Sequence, residues 1–220
     1  MTKSYEGIVI RQTKTMGGRR MLLVFTREEG KISAGTFISE KSRGGAALAI
    51  RPFAHGQYHI TEKREGFRSI SSAETINARF ELGEDADRFA EASFALEFTD
   101  KLLPEGVQEE EIFERLKEYL DMLILRNTDF RLLTVSYMVK VMQALGVFPE
   151  PGTEEFRELL SGMNDDILEV AVFITEQPLK RMEDLKLDSD KEMAVFAAVR
   201  AFAGQHLEMG MLKSERLMKD

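Results

Sequence analysis

The chain has 220 residues, 43% of them hydrophobic and 31% charged, a balance that supports a real core and excludes a disordered chain. It contains no cysteine, which rules out disulfides, thiol nucleophiles and thiolate zinc sites, and only three histidines, His55, His59 and His206. The net charge of −8 is unevenly spread: residues 1–80 carry 14 Lys/Arg against 7 Asp/Glu, and residues 81–220 carry 16 against 31. Such asymmetry points to an anionic partner for the basic part. No apolar run approaches the roughly 18–20 residues needed to span a bilayer, and the first six residues lack the apolar core of a secretory signal. A cytoplasmic protein without a membrane partner is expected.

The first 80 residues read as β structure. Gly7 to Arg11 opens a strand rich in β-branched residues, and Met21 to Thr26 follows as an apolar run. A turn at Glu28-Glu29-Gly30 leads into a third strand, Lys31 to Ile38. Residues 39–52 break the pattern, punctuated by Gly44-Gly45 and Pro52. Phe53 to Thr61 and Phe67 to Ile76 make a fourth and fifth strand around the turn Lys63-Arg64-Glu65-Gly66. Five short strands in this length predict a small closed barrel of the OB-fold type over residues 1–80.

After Ala78 the period becomes helical. Phe89, Ala92, Leu96 and Leu103 share one face, stopped at Pro104-Glu105-Gly106. Ile112, Leu116, Tyr119, Leu120 and Leu123 form a second stripe. Leu132, Val135, Val139, Met142 and Leu145 form a third, ended by Gly146 and Pro149. Residues 132–139 carry no charge, which predicts a central helix buried nearly all round. Thr153 and Asn164 read as N-caps, and Ser189 with Glu192 as a capping box. The last long helix has Val195, Val199, Phe202 and His206 on one face, which places His206 in a core. The expected architecture is α+β: an N-terminal five-stranded OB barrel followed by an acidic α-helical domain over residues 81–220.

Catalytic patterns are missing. Gly17-Gly18-Arg19-Arg20 lacks the spacing and ending of a phosphate-binding loop, and Asp188-Ser189-Asp190 lacks the glycine that a calcium loop needs, with Met193 in its place. His55 and His59 lie on the same face of a strand and read as exposed sheet histidines rather than a metal pair. Asp165-Asp166 reads as helix capping rather than paired carboxylates. What remains is binding. Arg11, Lys14, Arg19, Arg20, Lys31, Lys41, Arg43, Arg51, Lys63 and Arg64 gather at strand ends and loops, interleaved with Phe25, Phe37, Phe53, Tyr58 and Phe67. An OB barrel holds nucleic acid with a cationic groove and aromatic faces. At least three of the five aromatics are expected to fill the barrel.

Several segments, in order, resemble the RecO family of bacterial recombination mediators. Gly7-Ile8-Val9-Ile10-Arg11 with Leu22 to Lys31 is similar to its first hairpin and turn, and Lys41-Ser42-Arg43-Gly44-Gly45 with Pro52-Phe53 to its Lys-Ser-Arg loop and next strand. Glu91 to Gly106 resembles its first helix and stop, Tyr137 to Pro149 its central helix and Gly-x-x-Pro turn, and Leu212 to Leu217 its closing Leu-Lys-Ser motif. The four-cysteine zinc module that many members carry after the Gly-x-x-Pro turn is missing, so no zinc or other cofactor is carried over. The segment before Lys41 is also less basic than usual, and Met138 stands where a Glu is frequent.

The resemblance implies a non-catalytic DNA-repair factor. Such a protein binds single- and double-stranded DNA through the barrel, with Arg11, Lys14, Arg19, Arg20, Lys31, Lys41, Arg43, Lys63 and Arg64 as the expected contacts, and anneals complementary strands. With RecR it helps load RecA onto strands coated by single-strand-binding protein. Arg131 and Lys140 are the candidates for the acidic C-terminal tail of that coating protein. Two other readings stay open at this point. One is an interaction adaptor whose acidic helices recruit repair proteins while the barrel barely touches DNA; the other is an OB-fold RNA or translation factor.

Overall fold

Strand β1 (Thr2–Lys14) extends well beyond the β-branched run at its centre because both of its edges are used. Its first half pairs with β4 (His55–Glu62), from Thr2↔Thr61 to Ile8↔His55, and its second half with β2 (Arg20–Thr26), from Gly7↔Thr26 to Lys14↔Arg20. A register shift between Val9 and Arg11 bends the strand so that it can serve two neighbours. β2 pairs with β3 (Gly30–Thr36), and β5 (Arg68–Asn77) runs antiparallel to β4. β3 and β5 meet in parallel at Gly35↔Ser69, so the order β1-β2-β3-β5-β4 returns to β1 and closes a five-stranded barrel of the OB type. The computed structural model describes residues 2–39, 41, 45–62, 66–127, 130–163 and 165–218.

Alternation fills the barrel. Val9, Leu22, Val24, Ile32, Tyr58 and Ile70 point into one cluster, joined by Ala49 and Ile50 from the end of a single-turn helix, α1 (Ala46–Ala49). The pattern-breaking stretch 39–52 therefore contributes to the core. Tyr58, which has no exposure, donates its hydroxyl to the Ala49 carbonyl at 2.7 Å. Burial pushes its phenol far above the ordinary range.

The chain forms two compact units, Met1–Glu84 with Thr99–Lys117 and Asp85–Phe98 with Glu118–Asp220. The division falls inside α2 (Ala86–Leu102) and α3 (Glu110–Leu125). Within the first unit, Phe113 packs edge-on against Phe25 at 5.7 Å and His55 at 6.2 Å, covering outward-facing side chains that alternation would otherwise leave wet. Asp100 accepts the Lys31 ammonium at 2.7 Å, and the Gly106 amide donates to the Lys31 carbonyl. Gly30, at φ +70°, is the close approach: a Cβ there would stand 1.8 Å from the Val107 carbonyl oxygen.

The second unit is helical. α4 (Phe130–Ala144) packs against α6 (Asp165–Glu176) and α7 (Ser189–His206), and α5 (Glu154–Leu159) lies on α7. All of Leu132 to Val139 is buried, as the uncharged run predicts. Tyr119 lies tilted against Tyr137, ring centres 4.7 Å apart, and shares a 2.8 Å hydrogen bond with Thr134. Thr153 caps α5 by accepting from the Phe156 amide, whereas Asn164 lies outside the described residues.

Three local readings are corrected. α7 is capped by Asp188, whose carboxylate accepts from the Lys191 amide, and not by Ser189; a carboxylate one residue earlier reaches the orphan amide first. His206 is exposed and stacks on Phe202 at 4.1 Å rather than sitting in a core. Phe89 is 42% exposed because the buried stripe of α2 runs through Ala90, Phe94 and Phe98, one residue off its own position. Among the described residues no helix is long and apolar enough to cross a membrane, and no three His, Asp or Glu side chains gather as a metal site.

Candidate nucleic-acid interface

Register gathers three chain segments at one end of the barrel. Lys14↔Arg20 closes the β1–β2 loop, Arg20↔Thr36 sets the end of β3 beside it, and Gly35↔Ser69 adds the start of β5. In an OB barrel this is where the β1–β2 and β4–β5 loops flank the ligand face. Gly17 and Gly18 take φ near +80° to reverse the β1–β2 loop, and Thr15 pins its base with both its amide and its hydroxyl on the Arg19 carbonyl, at 2.9 and 2.8 Å. Arg19 therefore leaves the loop at a fixed place.

Its side chain crosses β3 above Gly35. The strand presents Ser33 and Gly35 to the outside in turn, with exposed Phe37 just past its end, and the missing side chain at Gly35 makes the room: a Cβ there would lie 2.2 Å from the Arg19 guanidinium. The guanidinium carbon sits 5.8 Å from the centre of the Phe37 ring. Phe37 is 74% exposed. Behind it the chain is anchored, since Thr36 Oγ1 donates to the Ile70 carbonyl at 3.3 Å, the Ile38 amide donates to Thr36 Oγ1, and Arg20 Nη1 donates to the Ile38 carbonyl at 3.3 Å.

The expected cations divide by environment. Lys14 and Lys41 are exposed, and among the described residues neither they nor Arg19 meets a carboxylate; the Arg19 Nε has no hydrogen-bond partner there. Arg11 is exposed but reaches Asp100 Oδ2 at 3.3 Å. Arg20 and Lys31 are buried, Arg20 on the Ile38 carbonyl and Lys31 on Asp100. Arg43, Lys63 and Arg64 lie outside the described residues. Arg51 is exposed, over the Phe80 ring at 5.7 Å. Of the aromatics, Phe25, Phe53 and Tyr58 are buried, whereas Phe37 and Phe67 are open to solvent.

His55 is not the exposed sheet histidine that alternation suggested. Phe113 covers it, and its Nε2 shares a 2.8 Å hydrogen bond with Glu6. Burial holds its pKa below the ordinary value, against the opposing pull of the Glu6 carboxylate. In the helical unit, Arg131 donates to Glu91 Oε1 at 2.7 Å and lies 4.8 Å over the Phe196 ring. Burial drives the Glu91 pKa up despite that guanidinium. Lys140, half-buried, donates to the Thr175 carbonyl at 2.7 Å and to Gln143 at 3.1 Å.

Sequence reasoning missed the Gly35 slot. A glycine at an outward position, two residues before a phenylalanine, was its available signal. It also missed Asp100, which no local pattern marks as the partner of Lys31 and Arg11.

The chain matches two family models, Recombination protein O N terminal over residues 1–79 and Recombination protein O C terminal over residues 83–151. Proteins named DNA repair protein RecO are similar to it: one from Bacillus cereus (strain B4264) is 31% identical over 149 residues, and those from Bacillus anthracis (strain CDC 684 / NRRL 3495) and Bacillus thuringiensis subsp. konkukian (strain 97-27) are 30% identical over the same length. Each alignment covers 68% of this chain and 59% of the relative, so the chain spans about three fifths of the curated relatives it matches. With consecutive N- and C-terminal models in the expected order over a barrel and a helical part, the chain belongs to the RecO family.

Proposed function

We propose that this protein acts in DNA repair and recombination by binding alone: it holds DNA at the β1–β2 end of the barrel, anneals complementary strands and helps load recombinase onto strands coated by single-strand-binding protein. The observation that supports the reading is a set of three cations without carboxylate partners among the described residues: Lys14 and Arg19 at the β1–β2 turn of an OB barrel, and Lys41 five residues past the end of β3. Phosphates are the natural counter-charge for such a set, and their capture releases counterions. Single- and double-stranded DNA share that backbone, so both are ligands. Residues 1–80 are the nucleic-acid-binding domain in this reading, and residues 81–220 serve protein partners.

Those partners are RecR, the single-strand-binding protein and, through them, RecA. Lys140 is the helical residue assigned to the acidic tail, because it is half-buried on α4 and can exchange the neutral Thr175 carbonyl for a carboxylate. Arg131 is already committed to Glu91 and is left to a structural role. Lys31 and Arg20 are likewise left out of the DNA contacts by their burial.

Anisotropy of a labelled single-stranded oligonucleotide against salt tests the site. Binding should weaken steeply as salt rises. Lys14→Gln with Lys41→Gln should make the slope of log affinity against log salt shallower by about 1.4, two phosphate contacts on a single strand. An unchanged slope and affinity in the double variant would move the function to the adaptor reading, with the helical unit as the working part. Annealing is a separate step. If strands bind but pair no faster than in buffer, that part of the proposal falls.

A further inference from the structure

We propose that Phe37, with Arg19 beside it, is a stacking platform for one unpaired nucleobase, and that it makes this end of the barrel prefer single-stranded over double-stranded nucleic acid. The inference rests on the nucleic-acid reading above and adds to it a base-recognising subsite and a strand preference. Phe37 adds little to the core: at 74% exposure its ring buries little, while its neighbours Thr36 and Ile38 hold the backbone through hydrogen bonds to Ile70 and Arg20. A large apolar ring held out on an anchored segment is a surface awaiting another flat surface.

The surroundings specify which one. The guanidinium of Arg19 lies 5.8 Å from the ring centre, threaded over Gly35, and its Nε makes no hydrogen bond among the described residues. A cation over one face of an aromatic ring leaves the opposite face to a nucleobase and favours stacking there. Lys14 and Lys41, both exposed, are near in sequence and register to the two segments that carry Arg19 and Phe37, and suit the phosphates on either side of the stacked nucleotide. An apolar protein ligand would have no use for three cations without carboxylate partners. Inside a duplex both faces of each base are covered by its neighbours, so away from the helix ends only an unpaired base can lie on Phe37.

The experiment compares a single-stranded oligonucleotide with a blunt duplex of the same sequence, using anisotropy for the full chain. Phe37→Ala should weaken single-strand binding about tenfold, the loss of one stacked base, and leave the duplex affinity unchanged. Gly35→Ala should act in the same direction, because the added Cβ displaces the flexible end of Arg19 and not the backbone. The chain has no tryptophan, so Phe37→Trp supplies a lone tryptophan at the site, excited selectively at wavelengths above the tyrosine band. Its emission should be quenched by the single strand and not by the duplex.

If the wild type binds and the two lysine substitutions weaken it, but Phe37→Ala shifts single-strand and duplex affinities equally or not at all, the platform is overturned and the phosphate site survives. Emission from the Phe37→Trp variant that stays constant while anisotropy reports a saturated single strand overturns it as well. If the wild type binds neither nucleic acid, this inference and the proposed function fall together.

Discussion

At the scale of single residues, His55 shows how one contact changes a side chain's part. Covered by Phe113 and hydrogen-bonded to Glu6, it is held neutral below the pH at which a free histidine would charge. The unfolded chain therefore binds a proton that the folded chain refuses. Stability from this site is complete above the ordinary value of 6.5 and declines as pH falls from there toward the lowered folded value. Urea titrations at a series of pH values should show that decline, and His55→Gln should flatten it. The residue was legible in the sequence as a histidine on a strand, but not as a buried one, because its cover arrives from position 113. The same holds for the basic residues. Lys31 and Lys41 look alike in sequence, and only the fold places Asp100, 69 positions from Lys31, within reach of the first.

Elements were legible where their pattern is local. The stripe Ile112, Leu116, Tyr119, Leu120 and Leu123 is wholly buried, and α4 was recognisable from its uncharged centre. What a stripe does not reveal is the cross-link that orients one helix on another. α2 and α4 are joined by the Glu91–Arg131 pair, both side chains nearly enclosed. Arg131→Ala should cost about 3–5 kcal/mol, because it leaves the Glu91 carboxylate buried without a counter-charge. Replacing both at once, Glu91→Leu with Arg131→Met, should recover much of that loss. Chemical denaturation of the three variants checks both statements. The strands were harder to bound than the helices. β1 runs from Thr2 to Lys14 because two neighbours pair with it, and pairing is invisible in its own residues.

For the molecule as a whole, the barrel sequence and the barrel's structural unit are not the same stretch of chain. Residues 99–117 cluster with the strands and supply Phe113, Asp100 and the Val107 carbonyl that meets Gly30. A fragment cut at residue 80 would leave Phe25 bare and the Lys31 ammonium buried without its acceptor. It should melt at lower urea than the barrel within the whole chain and bind a hydrophobic dye that the whole chain ignores. Equal stability of fragment and whole would show that the cover is dispensable. The Gly35 slot has a matching consequence at this scale, since the proposed ligand end depends on a residue that offers nothing but absence.

The closure of the barrel has a further consequence. β3 joins β5 at one paired position, Gly35↔Ser69, while β1 and β2 share seven. The ring has a seam. Local opening should begin there, and backbone amides along it should take up deuterium sooner than those of Val9 or Val24 deep in the long ladder. Phe37 stands two residues past the seam. A strand seated on that ring would slow exchange at the weakest rung, so protection of Gly35 and Ser69 should read out occupancy without any label on the nucleic acid.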